Sequence, residues 1–287
     1  MQYDFAKKIG MYRRVPVGRR EILKSIVALS GGFAAAGLLL ESSGVAGPLP
    51  SGMASSQDSQ AASVDSETVH FQSASVDIQA YIAKPKDESK HPGVILVHDT
   101  RGLNEQMKVT TRRFAAAGFV AMAPDLLSRA GGTSKMATPE AAASAINQLP
   151  PSATVADLKA AFDFLEKDSG VEVASISSVG FGWGGWRSFM LATAEPELYR
   201  SVVFCGSTPI TGLENIHAPV MAHYAQFDFR TTGNAIPTQK EMTQLGKKFI
   251  YHLYPSVGHS FFDETAPQYN AAAAELAWKR TLEFLKA

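Results

Sequence analysis

The stretch from Ser175 to Gly185 constrains the fold of this chain more than any other part. It reads SISSVGFGWGG, an alternating apolar run that stops at glycines, and an apolar pattern of helical spacing follows it. This order predicts a strand, a sharp turn and a helix, which is the context of a nucleophile elbow, G-x-nucleophile-x-G. Gly180 and Gly184 fall at the flanking positions, where a Cβ would collide with the neighbouring strand and helix.

The position between the flanking glycines is Gly182, so the predicted elbow carries no nucleophilic side chain. The same stretch also matches the dinucleotide-binding pattern G-x-G-x-x-G at Gly180, Gly182 and Gly185. That pattern belongs on the first strand of a βαβ unit, with an acidic residue roughly 20 residues later. Here it lies deep in the chain, and Glu195 and Glu197 come too early. The elbow is therefore the favoured interpretation, and a nucleotide site is the alternative.

Strands alternate with helices through the rest of the chain, after a predicted hairpin within residues 69–83. Such alternation predicts an α/β protein with a mainly parallel sheet and helices on both faces. In these sheets, ligands bind at the carboxyl ends of the strands. The predicted strands are residues 93–98, 119–124, 175–181, 201–204, 219–224 and 249–254, and the predicted helices are residues 105–117, 139–149, 152–168, 237–246 and 268–286.

Residues 1–46 have the pattern of an export signal. Arg19 and Arg20 precede a moderately apolar run from Ser25 to Leu40. The paired arginines followed by x-Ile-Leu-Lys resemble the twin-arginine type of signal, which implies that the export machinery carries the folded protein to the periplasm or another extracytoplasmic space. Three glycines interrupt the apolar run, which is short for a membrane span. An uncut signal that tethers the protein to the membrane is the alternative.

Residues 47–66 are rich in Ser, Gly, Ala, Pro and Gln, and predict a flexible linker because they cannot bury enough apolar surface to offset their ordering entropy. Residues 67–287 then suit one α/β domain. The 27 basic and 27 acidic residues balance, which argues against a nucleic-acid partner. The single cysteine, Cys205, excludes an internal disulfide, and the seven histidines show no metal-ligand spacing, so we expect no metal.

Two polar residues follow predicted strands downstream of the elbow. Asp228 comes after the strand that ends near residue 224, and His259 comes after the strand that ends at Tyr254. A triad on an α/β-hydrolase sheet runs in the order nucleophile, acid, histidine. The order predicts an Asp–His dyad in which Asp228 holds the imidazole of His259 in one tautomer and stabilises its cation.

Several motifs together resemble the dienelactone hydrolase family. The resemblance implies an α/β-hydrolase fold, hydrolysis of small lactones or carboxylic esters without a cofactor, and a small ester, lactone or carboxylate as the ligand. It covers nearly all of the chain after the linker. The motifs are HDTRGLN at 98–104, APDLLSR at 123–129, GFxWGG at 180–185, YAxxD at 224–228, YPxxxH at 254–259, and the tail YNAAA at 269–273 with AWKRTL at 277–282.

The resemblance also implies roles for further residues. It makes Asp228 the acid and His259 the base, and the backbone N–H groups of Thr100 and Trp183 would form the oxyanion hole. Arg101 and Arg230 match arginines that face the substrate carboxylate in the family, a role that suits the guanidinium fork. A surface or structural role is the alternative for both arginines.

Two positions depart from the family pattern. The family usually has Cys, sometimes Ser, where this chain has Gly182, and it usually has a Glu that interacts with the resting thiol where this chain has Asp99. Cys205 and Ser207 end the adjacent strand and are possible substitutes. Neither lies on an elbow, and a misplacement of about 1 Å already costs roughly 100-fold in rate.

Three hypotheses follow from the missing side chain. In the first, His259 activates a water that attacks the substrate directly, so the protein is a hydrolase without covalent catalysis. In the second, the protein is a catalytically silent, exported ligand-binding or interaction module. In the third, this chain is a variant that has lost its cysteine. The sequence leaves all three open.

Overall fold

The computed structural model describes residues 64–209 and 211–287. The predicted signal and most of the predicted linker lie outside these residues. The first strand begins at Val64, before the predicted domain boundary at residue 67, and Val64 is itself buried. Within the described ranges, no helix has both the length and the apolar character needed to cross a membrane.

The described residues form an eight-stranded sheet with the order β1-β2-β4-β3-β5-β6-β7-β8. Strand β2 pairs antiparallel with both of its neighbours, β1 and β4. The other five pairs, from β4–β3 across the sheet to β7–β8, are parallel. The prediction of a mainly parallel α/β sheet is thus confirmed. The strands are β1 (Val64–Ser73), β2 (Val76–Pro85), β3 (His91–Val97), β4 (Val120–Pro124), β5 (Val171–Phe181), β6 (Ser201–Phe204), β7 (Val220–Ala225) and β8 (Phe249–Tyr254).

α-Helices lie between consecutive parallel strands except between β6 and β7, where the described residues form only the short 3₁₀ helix Leu213–Asn215. Capping side chains fix some of their ends: Asn104 accepts a hydrogen bond from Met107 N at the start of α1, and Asn270 accepts one from Ala273 N at the start of α7. The second cap explains why α7 begins at residue 271 rather than at the predicted residue 268. The helices are α1 (Glu105–Ala116), α2 (Pro139–Asn147), α3 (Pro151–Glu166), α4 (Trp183–Ala194), α5 (Phe229–Thr232), α6 (Ala235–Gln244) and α7 (Ala271–Lys286).

The core lies on both faces of the sheet. Strand β3 shows this most clearly, because Ile95 and Val97 pack in one apolar cluster while Val94 and Leu96 pack in another on the opposite face. All four side chains are fully buried. A continuous apolar run is what a strand covered on both faces requires. This packing fixes the carboxyl ends of β3, β5, β7 and β8 at one edge of the sheet, and the candidate site lies there.

Candidate active site

The turn between β5 and α4 is a tight bend with Gly182 at its tip. Gly182 has φ +55°, a backbone conformation that side chains with a Cβ rarely adopt. Its N–H donates to Phe204 O at 2.8 Å on the neighbouring strand, and its carbonyl accepts from Gly185 N at 3.0 Å in the first turn of the helix. These bonds hold the strand-to-helix turn in the shape that an elbow requires.

The two flanking glycines are required by close backbone approach. A Cβ on Gly180 would lie 2.1 Å from Gly184 O, and a Cβ on Gly184 would lie 2.2 Å from Val97 O. Real Cβ atoms essentially never come so close to backbone, so the helix could not pack on the sheet with larger residues here. Contacts within the fold therefore account for these glycines without a bound nucleotide.

Asp228 and His259 form a hydrogen-bonded pair at the carboxyl ends of β7 and β8. His259 Nδ1 donates to Asp228 Oδ2 at 2.6 Å, and Thr231 Oγ1 donates to the same oxygen at 2.5 Å. Asp228 is buried, and burial alone would raise its pKa. The hydrogen bonds from His259 and Thr231 outweigh that effect and hold the pKa of Asp228 below its ordinary value. The carboxylate therefore stays charged and orients the ring.

The free nitrogen of His259 faces the elbow. An ideal Cβ placed on Gly182 would lie 3.3 Å from His259 Nε2 and 3.8 Å from Asp99 Cβ. Because Nδ1 donates to the carboxylate, Nε2 is the acceptor nitrogen of the neutral ring. A group beside Gly182 could thus give up a proton to Nε2, which is the task of a general base.

Cys205 lies close to the same pair. Its Sγ, an Asp228 carboxylate oxygen and a His259 ring nitrogen all lie within 4.8 Å of one another. Such donors could in principle share a metal ion, although the carboxylate and the ring are already hydrogen-bonded to each other. Burial and the charge of Asp228 raise the pKa of the Cys205 thiol to about 12. The thiol is therefore protonated at neutral pH, and Ser207 is only partly buried on the following loop.

Arg101 is enclosed by two carboxylates. Its Nη2 donates to Asp99 Oδ2 at 2.8 Å and also to Asp263, while its Nη1 donates to Thr265 Oγ1 at 3.2 Å. Burial would lower the pKa of Arg101, but hydrogen bonds and charge from the two aspartates raise it above its ordinary value. The Arg230 side chain, in contrast, is 81% exposed and lies 3.9 Å from Asp228. The expected role of both arginines towards a substrate carboxylate stays a prediction.

A pocket opens around Arg101, beside the elbow. It is a cleft that is partly open to solvent. Asp99 belongs to both places, since it lines the pocket and approaches the Cβ position of residue 182. The lining residues are Asp99, Arg101, Asn104, Gln106, Met107, Thr110, Phe181, Phe262 and Asp263.

The two predicted oxyanion donors come from segments that flank the turn. Trp183 is the first residue of α4, where backbone N–H groups have no partner within the helix, and Thr100 follows the end of β3. His98 fixes the β3 end: its Nδ1 donates to Asp99 O at 2.8 Å and its Nε2 accepts from Leu126 N at 3.1 Å. Both donor residues are partly exposed. Their joint action on a substrate oxygen stays a prediction.

Asp263 and His98 belong to the site although no sequence pattern marks either of them individually. Asp263 comes four positions after His259, on a segment with no regular secondary structure, and no motif marks it. His98 lay inside a resemblance motif, but one of its two hydrogen bonds comes from Leu126 N, 28 residues away. Cys205 was a possible substitute nucleophile on the adjacent strand, and the structure places its sulfur within 4.8 Å of the Asp228 and His259 ligand atoms.

The strand order, the helices on both faces and the bend after β5 define the class of protein: this is an α/β-hydrolase fold. The particular family follows from comparison with known proteins. The chain belongs to the dienelactone hydrolase family, whose model matches residues 78–287.

Relatives and solved structures agree with this assignment. A protein of Methylorubrum extorquens described as "Putative carboxymethylenebutenolidase" is 28% identical over 222 residues, 73% of this chain and 76% of the relative. A protein of the same description from Escherichia coli O157:H7 is 29% identical over 221 residues, 72% of this chain and 81% of the relative. The crystal structure of a dienelactone hydrolase-type protein from Klebsiella pneumoniae covers 78% of this chain and 98% of its own, with a TM-score of 0.71 at 22% identity. At that identity, the structural match speaks for the fold alone.

Proposed function

We propose that this protein hydrolyses small carboxylic esters or lactones by direct attack of water, with His259 as the general base. Family membership supports hydrolysis, and one observation supports the water route. The Cβ position of Gly182 lies 3.3 Å from His259 Nε2, so a water beside the glycine would be within hydrogen-bonding reach of the acceptor nitrogen.

The proposed reaction has two steps. The water oxygen bonds to the acyl carbon while its proton passes to His259 Nε2, and Asp228 stabilises the imidazolium. The carbonyl oxygen becomes an oxyanion that the N–H groups of Thr100 and Trp183 would stabilise. The tetrahedral intermediate then breaks the bond to the leaving oxygen, which takes the proton from Nε2. An ester yields an acid and an alcohol, and a lactone yields one hydroxy acid.

The expected rate is modest. A covalent nucleophile divides a difficult step into two easier ones, and this route lacks that advantage. Enzymes that retain binding and oxyanion groups after losing triad members still accelerate hydrolysis about 10³–10⁴-fold over water. We expect acceleration of that order here.

A pair of histidine variants tests the proposal. We expect the native protein to hydrolyse 4-nitrophenyl acetate and a dienelactone, and we expect His259→Ala to lose at least about 100-fold in kcat, the contribution typical of a general base. His217→Ala is the matched control, because His217 is exposed and outside the site. Hydrolysis that survives in His259→Ala contradicts the mechanism. A native protein with no hydrolysis at all contradicts the function and favours the silent binding module.

We also propose that the protein acts outside the cytoplasm. The support is the sequence of residues 1–46, with Arg19 and Arg20 ahead of the apolar run. Replacing both arginines with lysine should retain the full chain in the cytoplasm, as cell fractionation would show. Unchanged export of this variant contradicts a twin-arginine route, and recovery of native protein in the membrane fraction favours the uncut tether.

A further inference from the structure

The charges around Arg101 bear on which substrates the pocket accepts. Among the pocket residues, Asp99 and Asp263 are acidic and Arg101 is basic, so the lining carries one net negative charge. Asp228 adds a buried carboxylate nearby, beneath the histidine. Arg230, an exposed side chain 3.9 Å from Asp228, offsets part of this charge. A substrate that enters beside Gly182 therefore meets three carboxylates and two guanidinium groups.

Four of the five N–H groups of the Arg101 guanidinium already donate hydrogen bonds. Asp99 receives hydrogen bonds from Nε at 3.0 Å and from Nη2 at 2.8 Å, and Asp263 and Thr265 accept from the other side. Asp263 is 3% exposed, so it cannot turn away into solvent. Two backbone-anchored contacts hold these groups in place: Arg101 N donates to Asp99 Oδ1, and Thr265 N donates to Asp263 Oδ1, both at 2.8 Å.

Among the described residues that line this pocket, Arg101 is the one basic side chain, and most of its N–H groups already have acceptors. A bidentate ion pair with Arg101 would have to displace an aspartate, because among the described residues only one N–H, on Nη1, has no acceptor. If Asp263 were displaced, its charge would stay buried without a partner, which is costly. An uncharged group can hydrogen-bond to the aspartates and to Asn104 instead. A cationic group gains from the excess negative charge as well.

We propose that the pocket selects esters or lactones whose distal group is uncharged or cationic, and that Asp263 determines this selectivity by holding Arg101 away from anionic substrates. This inference rests on the proposed hydrolytic function of the same site, and it names the substrate class.

Three 4-nitrophenyl esters of similar length test it: the pentanoate, the hydrogen glutarate and the 4-(trimethylammonio)butanoate. Each kcat/KM is divided by the rate constant for alkaline hydrolysis of the same ester, which removes differences in intrinsic reactivity. We expect the glutarate value to be at least about tenfold below the pentanoate value, a size typical of one like-charge contact near a protein surface. The ammonium ester should equal or exceed the pentanoate.

The variant Asp263→Asn should raise the relative value for glutarate severalfold, because it frees one side of Arg101. Asp163→Asn is the matched control, with the same change of charge on an exposed position of α3. If Asp263→Asn does not fold, salt dependence of the native enzyme serves instead: the penalty against glutarate should shrink as NaCl rises from about 20 to 500 mM. A native preference for glutarate, or a ratio that neither the variant nor salt changes, overturns the inference.

The two proposals can fail separately. If no ester is hydrolysed, the hydrolytic function fails, and charge preference is then measured as binding by saturation-transfer NMR with pentanamide, glutarate and 4-(trimethylammonio)butanamide. Glutarate binding as well as or better than the other two overturns the charge inference, and weaker glutarate binding sustains it.

Discussion

The substitution Gly182→Cys is the sharpest perturbation of the elbow. The new Cβ would lie 3.3 Å from His259 Nε2, so its sulfur, roughly 1.8 Å further on, would fall within reach of the imidazole. A residue other than glycine at φ +55° costs about 1–3 kcal/mol, partly offset by about 0.4–1 kcal/mol from a less flexible unfolded chain. For a domain of this size we expect a loss of roughly 2–8 °C in Tm.

Activity should change in the opposite direction. A thiol next to an imidazole held by a carboxylate is an activated nucleophile, so Gly182→Cys should hydrolyse 4-nitrophenyl acetate through an acyl-enzyme with a burst of 4-nitrophenol. We expect kcat to rise by about 100-fold over the native protein, part of the contribution measured for complete triads. Stopped-flow absorbance and thermal unfolding give both quantities from one preparation.

Gly182→Ala is the matched control, because it adds the same Cβ without a nucleophile. It should show a similar loss of Tm, and it should reduce native hydrolysis at least about tenfold, since its methyl group occupies the place proposed for the water, against Nε2. A folded Gly182→Cys protein without a burst or increased turnover would refute the reasoning, because residue 182 would then not face a competent His259.

Three further outcomes are expected. Cys205→Ser should hydrolyse esters at a rate within about threefold of the native rate. Burial raises the pKa of Cys205 to about 12, so this thiol should resist iodoacetamide at pH 8 until urea unfolds the protein. Fast labelling of the folded protein would be inconsistent with this expectation. Burial keeps the pKa of His223 well below its ordinary value, so it stays neutral when folded and takes up a proton when unfolded below pH about 6.5. The free energy of unfolding in urea should then fall as the pH drops below about 6.5, with a slope that approaches about 1.4 kcal/mol per pH unit as the unfolded histidine becomes fully protonated. His223→Asn should flatten that slope, and an equal slope in the variant would argue against it. Gly184→Ala should lower the free energy of unfolding by at least about 2 kcal/mol, because its Cβ would lie 2.2 Å from Val97 O. Gly170→Ala, whose Cβ would lie 3.4 Å from its nearest neighbour, should be nearly neutral. Equal urea midpoints for the two variants would contradict this difference in packing.

The α/β class and the order of its elements could be predicted because local pattern carries them. The apolar runs at β3 and β4 and the glycine-bounded run at β5 have the lengths and compositions typical of buried strands. The residues at which strands begin and end were harder to predict. Strand β1 starts at Val64 because that residue pairs with Pro85 across the hairpin, a contact that the composition of a linker does not reveal.

The dyad could be predicted because chain order on a parallel sheet places residues after β7 and β8 at one edge. The hydrogen-bond partners of Arg101 could not be predicted from the sequence. Its partners Asp99 and Asp263 are two and 162 residues away, and the second contact depends on how the loop after β8 folds back over the loop after β3. The resemblance assigned Arg101 to a substrate carboxylate, but Asp263, the second of the two aspartates that bind it, lies outside every motif.

The central claim is that water, and no side chain of the protein, attacks the substrate. Intact-protein mass spectrometry during turnover of 4-nitrophenyl acetate, with samples quenched in acid from milliseconds to minutes, tests it most directly. We expect steady release of 4-nitrophenol that depends on His259, with the native mass unchanged at every time. An acetyl adduct that forms and decays at the turnover rate, on Cys205 or any other residue, would contradict it.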